Sequence, residues 1–172
     1  YADADGDGFG DVAGAVSACT APAGTSFAST DCNDGDAAIN PAAEDVCDAA
    51  DNDCDGDVDD GLRVPTDYAT IQRGINAAGS GEHVCVDAGV YYEDIDFTYK
   101  SLTLEGVDGS GSTVRYGTGA DSVVDLGYGS AGTVLRGFTI EGGESDYGAG
   151  VYSQASGATL DDLVITYNYC TT

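Results

Sequence analysis

Apolar residues form short runs along the second part of the chain and are sparse in the first. One segment alone has a helical rhythm: Ile71, Ile75 and Ala78 stand at i, i+4 and i+7, and Gly79 follows as a stop. Beyond it the pattern predicts strands at residues 84–87, 95–97, 102–104, 113–116, 123–126, 134–140, 150–152 and 160–166. Each run is brief, and Gly, Ser or Asp separates it from the next.

These runs repeat. Val134-Leu-Arg-Gly-Phe-Thr-Ile140 aligns with Thr159-Leu-Asp-Asp-Leu-Val-Ile165 at an offset of 25 residues. Leu102-Thr-Leu-Glu-Gly106 aligns with Phe138-Thr-Ile-Glu-Gly142 at an offset of 36. A period of this size, with a few strands per repeat, predicts a solenoid whose coils stack about 4.8 Å apart. Leu104, Ile140 and Ile165 are expected to share one internal ladder. A jelly roll or sandwich is the alternative, although neither needs the 25-residue offset.

Charge then divides the chain. Acids outnumber bases 31 to 5 over 172 residues, a net charge of −26. Such a chain cannot neutralise a row of phosphates, which excludes ordinary nucleic-acid binding, and it is unsuited to anionic membrane surfaces. With 42% hydrophobic residues it is no disordered acidic tail. Residues 1–61 hold 15 Asp and one Glu with no Lys or Arg, whereas all five bases lie in residues 62–172. The predicted domains are therefore 1–61 and 62–172, with Pro65 helping to punctuate the change. The uncharged stretch 12–30 is too polar to span a bilayer, so no membrane insertion is expected.

The acids of the first part are spaced as calcium ligands. Asp3, Asp5, Asp7 and Asp11 occupy positions 1, 3, 5 and 9 of an EF-hand-type loop. Gly8 is at position 6, and Phe9 at position 7 can offer its carbonyl. Asp51, Asp53, Asp55, Asp57 and Asp59 repeat the alternation around Gly56. Neither loop has Glu at position 12, where Gly14 and Leu62 stand, so closure has to come from elsewhere. Between them Asp31, Asn33, Asp36 and Glu44 offer further oxygens. An all-oxygen set favours Ca2+; Mg2+ would usually keep more waters, and zinc would want His or paired C-x-x-C knuckles. The six Cys allow 15 connectivities. Sequence proximity suggests Cys19–Cys32 and Cys47–Cys54, leaving Cys85 as a small core residue or a partner for Cys170. An even number of Cys suggests an oxidising compartment.

The stretch from Thr30 to Gly56, Thr-Asp-Cys-Asn-Asp-Gly-Asp-Ala-Ala-Ile-Asn-Pro-Ala-Ala-Glu-Asp-Val-Cys-Asp-Ala-Ala-Asp-Asn-Asp-Cys-Asp-Gly, resembles the MopE-type metal-binding motif of secreted and surface proteins of myxobacteria and related bacteria. The opening D-x-D-x-D-G-x-G-D resembles thrombospondin type 3 and dockerin calcium loops. These resemblances imply calcium binding, disulfides between neighbouring Cys and an extracellular location. The family's occasional copper label finds no support in the residues: Met is absent, and the single His, His83, lies outside the motif.

The later part resembles the right-handed parallel β-helix of the pectin-lyase-like class. Tyr68-Ala-Thr-Ile-Gln-Arg-Gly-Ile-Asn-Ala-Ala, Val84-Cys-Val-Asp-Ala-Gly-Val-Tyr-Tyr-Glu-Asp-Ile and Lys100-Ser-Leu-Thr-Leu-Glu-Gly-Val carry the likeness. The resemblance implies an all-β fold. A short right-handed parallel β-helix with an N-terminal capping helix would follow a small, loop-rich, disulfide-stapled calcium unit. Catalytic candidates on such a fold are Asp125, Asp161, Asp162, Arg115 and Arg136. The 25-residue offset sets Arg136 beside Asp161, as a surface ion pair would be, so a structural or adhesive role is expected before catalysis. Opening within a motif at Tyr1, the chain reads as part of a longer secreted precursor. The 111 residues of the second part suffice for four or five coils, and an uncapped last coil invites pairing. The expected partner is a second copy, as a homo-oligomer or head-to-tail filament. A polysaccharide is the alternative, which would make the chain a carbohydrate-binding or lyase-like module.

Overall fold

The apolar runs become short parallel strands because each exposes one apolar edge that only a neighbouring coil can cover. They are β1 Leu62–Val64, β2 His83–Val86, β3 Gly89–Tyr92, β4 Ile95–Asp96, β5 Thr103–Gly106, β6 Ser112–Arg115, β7 Val124–Asp125, β8 Val134–Glu141, β9 Val151–Tyr152 and β10 Thr159–Thr166. This computed structural model describes residues 1–59, 61–97, 99–115, 122–128, 131–154 and 157–171. The fold is a parallel β-solenoid of about four turns with one short helix. The chain divides into two compact units, Tyr1–Asp60 and Gly61–Thr172.

Within Gly61–Thr172 one sheet runs β1-β2-β5-β8-β6-β3, with β10 also on β8, and a second runs β4-β7-β9. Leu62, Val84, Leu104, Leu135 and Leu160 are register partners through successive coils. Val114, Ile140 and Ile165 form another ladder, as do Ser112, Phe138 and Leu163. The 25-residue alignment is a true register, since Val134 pairs with Thr159 and Ile140 with Ile165. The 36-residue one is not: Thr103 and Leu104 pair with Val134 and Leu135. Leu104 therefore stands outside the ladder of Ile140 and Ile165. The cause is a 3₁₀ turn at Gly109–Gly111, which breaks one coil into β5 and β6, whereas β8 runs on and pairs with both. Gly137, at φ +74°, lets β8 bend there; a Cβ on Gly106 would lie 2.2 Å from the Gly137 carbonyl oxygen. β1 and β3 were not among the expected strands, and the expected strand end at Tyr116 lies outside the described residues.

Leu104, Leu135, Phe138 and Ile140 fill the interior with Val64, Val84, Val86, Phe97 and Leu126. The helix α1 Ile71–Ala77 adds Ile71, Gly74 and Ile75. Gly74 keeps it close: a Cβ there would meet Val84 Cγ1 at 3.0 Å and Val64 Cγ2 at 3.2 Å. A seven-residue helix is marginal alone, and the solenoid supplies its caps. The Thr70 hydroxyl accepts from Arg73 N at 3.2 Å, and Glu93 accepts from the backbone N–H groups of Ile71 and Gln72 at 3.0 Å each. At the other end Lys100 Nζ donates to the carbonyls of Ile75, Asn76 and Ala78 at 2.7–2.8 Å.

The Tyr1–Asp60 unit is built differently. Apart from a 3₁₀ turn at Val12–Gly14 and an antiparallel bridge between Ala2 and Thr25, its described residues form turns, bends and irregular segments. Every member of the buried apolar cluster lies in the other unit, while Val12, Val16 and Val58 are exposed and Phe27 is 93% exposed. Cys32 bonds to Cys54, which overturns both proximity pairings, Cys19–Cys32 and Cys47–Cys54. Cys19 is an exposed free thiol. The physical reason is a fold-back: the segment carrying Asp51 and Cys54 returns to the start of the motif, where Cys32 N lies 3.1 Å from Cys54 Sγ. Closing a loop of 22 residues costs little more than closing a shorter one, so proximity is a weak guide. Cys170 Sγ donates to the Asp146 carbonyl at 3.8 Å, as a thiol does, so Cys85 is not joined to Cys170.

Candidate metal centre

Short acidic side chains spaced by one residue cap the backbone amides that follow them. Asp3 Oδ1 accepts from Gly6 N at 2.8 Å, Asp5 Oδ1 from Asp7 N at 3.3 Å, and Asp7 Oδ1 from Phe9 N at 2.7 Å. Each bond engages one carboxylate oxygen, and the second oxygen of Asp5 and of Asp7 is buried with no hydrogen-bond partner. In the second loop Asp53 Oδ1 likewise accepts from Asp55 N at 3.1 Å, whereas Asp51 uses both oxygens, Oδ1 accepting from Asp55 N and Oδ2 from Gly56 N at 3.1 Å each.

Among the described residues the Tyr1–Asp60 unit brings carboxylates into three groups whose oxygens lie within 4.8 Å of one another. They are Asp3, Asp5 and Asp34; Asp5, Asp7 and Asp31; and Asp45, Asp51 and Asp53. Of the sequence-derived ligands, Asp3, Asp5, Asp7, Asp31, Asp51 and Asp53 are thus assembled. The others lie outside these three groups. Asp11 caps the 3₁₀ turn through Ala13 N, and Asp36 caps Ala38 N. Phe9 donates its N–H to Asp7. Asp59 is buried and accepts from Ala49 N at 2.8 Å. Asn33, Glu44, Asp55 and Asp57 are exposed. Asp34 and Asp45 were not singled out because they stand outside the alternating pattern. Asp34 Oδ1 accepts from Ala4 N at 2.7 Å, and Asp45 Oδ1 accepts from Asn52 N at 2.6 Å. Both are links between segments, which local spacing does not record.

Residues 1–61 contain no Lys or Arg of their own to offset the repulsion among these carboxylates. Asp31 is the most enclosed of the assembled acids. Burial pushes its carboxyl above the ordinary 3.8; the Asn33 N–H opposes this, and Asp7, Asp5 and Asp34 add to the rise. Oxygens turned together without a positive charge suit a hard divalent cation, and the donor set contains no sulfur or imidazole.

On the solenoid the catalytic candidates do not form one site. Arg115 pairs with Glu141, and Arg136 Nη2 lies 2.5 Å from Glu105 Oε2 while its register partner on the other side is Asp161. Asp125 stacks between Asp96 and Tyr152, and Asp161 and Asp162 are exposed on β10.

The family model of the MopE copper-binding type, described as a "Putative metal-binding motif", matches residues 31–60. The match ties the Asp45–Asp51–Asp53 group, with Asp31 and the Cys32–Cys54 bond, to a metal-binding motif. No curated protein and no solved structure matched the chain. Among the described residues no helix is long and apolar enough to cross a membrane.

Proposed function

We propose that this chain is a secreted, calcium-binding surface protein in which ions order the acidic unit and the solenoid offers a rigid contact surface. The observation that carries the reading is the convergence of Asp45, Asp51 and Asp53 inside the matched motif. Oxygen-only ligands select Ca2+ over copper, which would call for imidazole or sulfur. Disulfides suit an extracellular setting. Calorimetric titration of the full chain with Ca2+ tests the assignment. Asp53→Asn is expected to weaken one site about tenfold or more, because site affinity follows ligand charge. Equal isotherms for variant and wild type would remove Asp53 from the site.

Self-association through the solenoid belongs to the same proposal. On β10, Leu160, Val164 and Ile165 are each about half exposed. Leu160 and Ile165 continue the internal ladders of Leu135 and Ile140 on β8, and Val164 stacks on Thr139, so β10 presents apolar side chains and a strand edge that no further strand among the described residues covers. A second copy stacked there makes a head-to-tail contact that propagates. Light scattering in calcium is expected to show species growing with concentration and shrinking in Leu160→Glu; a wild type that stays monomeric refutes the contact. A carbohydrate-binding role is the second reading. Its support is a cleft of about 470 Å3 lined by Tyr92, Tyr167, Tyr169 and the Arg115–Glu141 pair, with all three tyrosines exposed.

A further inference from the structure

We propose that Asp31 closes a separate hard-cation site on the opening loop, with Asp5 and Asp7 as its other carboxylate ligands. This site rests on the calcium-binding reading above but uses residues distinct from Asp45, Asp51 and Asp53.

The opening loop has no acid at position 12, where Gly14 stands. An EF-hand-type loop needs a carboxylate there to complete the shell. Asp31 arrives from another segment. Its backbone N–H donates to the Gly10 carbonyl at 3.2 Å, which fixes that segment against the loop. Gly10 allows the approach between Tyr1, Ala2 and itself, since a Cβ there would fall 2.2 Å from the Ala2 carbonyl oxygen. Asp34 adds a second tie through Ala4 N.

Three independent features point to a ligand rather than to an acidic surface. Asp31 is only 6% exposed, so its charge is not dispersed into water. Its Oδ1 is taken by Asn33 N at 2.7 Å, while its Oδ2 is buried with no hydrogen-bond partner. Asp5 Oδ2 and Asp7 Oδ2 are orphaned in the same way. Burying one unpaired carboxylate is costly, and three whose oxygens approach within 4.8 Å repel one another as well. The amides orient the carboxylates; a divalent cation satisfies what the amides leave. Carbonyls and waters would complete the six to eight oxygens that calcium takes.

Ca2+ alone is the probe, titrated calorimetrically into the full chain with its disulfides intact. Asp31→Asn and Asp7→Asn, on different segments, are each expected to abolish the same binding event. The event weakened in Asp53→Asn should remain at its wild-type strength in both. The double variant Asp7→Asn/Asp31→Asn should lose no more events than either single one. In EGTA, Asp31→Asn is expected to melt no lower than wild type, because it removes a buried anion; in calcium it should melt lower. A wild-type isotherm for both Asp31→Asn and Asp7→Asn overturns this site while leaving the calcium-binding reading in place. A wild type that takes up no calcium overturns both.

Discussion

Chelation of the full chain is expected to lower the melting of the Tyr1–Asp60 unit by tens of degrees and leave a solenoid transition in place. The unit contributes no residue to the buried apolar cluster, and it concentrates 15 Asp without one Lys or Arg. Hydrophobic burial is therefore small, and self-repulsion opposes compaction. Free calcium at a thousand times the dissociation constant stabilises the folded form by about 4 kcal/mol per site. For a unit of this size each kcal/mol moves the midpoint by about 4–8 °C. Differential scanning calorimetry in calcium and in EGTA checks this, and superimposable thermograms would refute it. The chelated protein also carries a pH signature. Asp31 holds its proton more tightly folded than unfolded, so its contribution favours the fold below about 3.8 and is lost as pH rises through the elevated folded value. Asp5, Asp7 and Asp34 face it and reinforce that direction. Mild acid should thus stabilise the unit in EGTA and destabilise it in calcium, where protonation expels the ion.

What could be read from residues alone follows from where the information is local. The register of β8 on β10 was legible because both are unbroken eight-residue strands. The Leu104 ladder was not, because the Gly109–Gly111 turn lies in one coil and not in the next. Corners of a solenoid accept inserts freely, so only uninterrupted coils align at a constant offset. β1 has three residues and borders the acidic run, and β3 begins at Gly89 and alternates between half-buried and exposed, so neither forms an apolar run. At the metal centre, alternate-residue spacing marked Asp5, Asp7, Asp51 and Asp53, since one residue's step is what aims neighbouring oxygens together. Which segment closes a loop leaves no such trace. Asp31 had the right chemistry but no spacing that assigned it to the opening loop, and Asp34 and Asp45 act through bonds to distant amides. The disulfide failed for the same reason, because chain proximity says little about a segment that folds back.

Phe138→Ala is expected to be the most damaging single change in the solenoid, costing about 3–5 kcal/mol. Phe138 is fully buried in the β8 strand, between Ser112 of the coil before and Leu163 of the coil after. Its ring fills volume that Ser112 is too small to reach, and Leu163 is already committed to its own coil. Truncation therefore leaves a cavity that stacked backbones cannot close, because their spacing is set by hydrogen bonds at about 4.8 Å. A solenoid is coupled coil to coil, so the loss falls on β8 and its neighbours β6 and β10 before it reaches β1 and β2. Leu160→Ala, at a position about half exposed on β10, provides the contrast and should cost far less. Calorimetry is expected to lower the calcium-independent transition in Phe138→Ala, with the calcium titration of the acidic unit unchanged. A cost for Phe138→Ala no larger than that for Leu160→Ala would mean that the ladder interior is not what stabilises the coils.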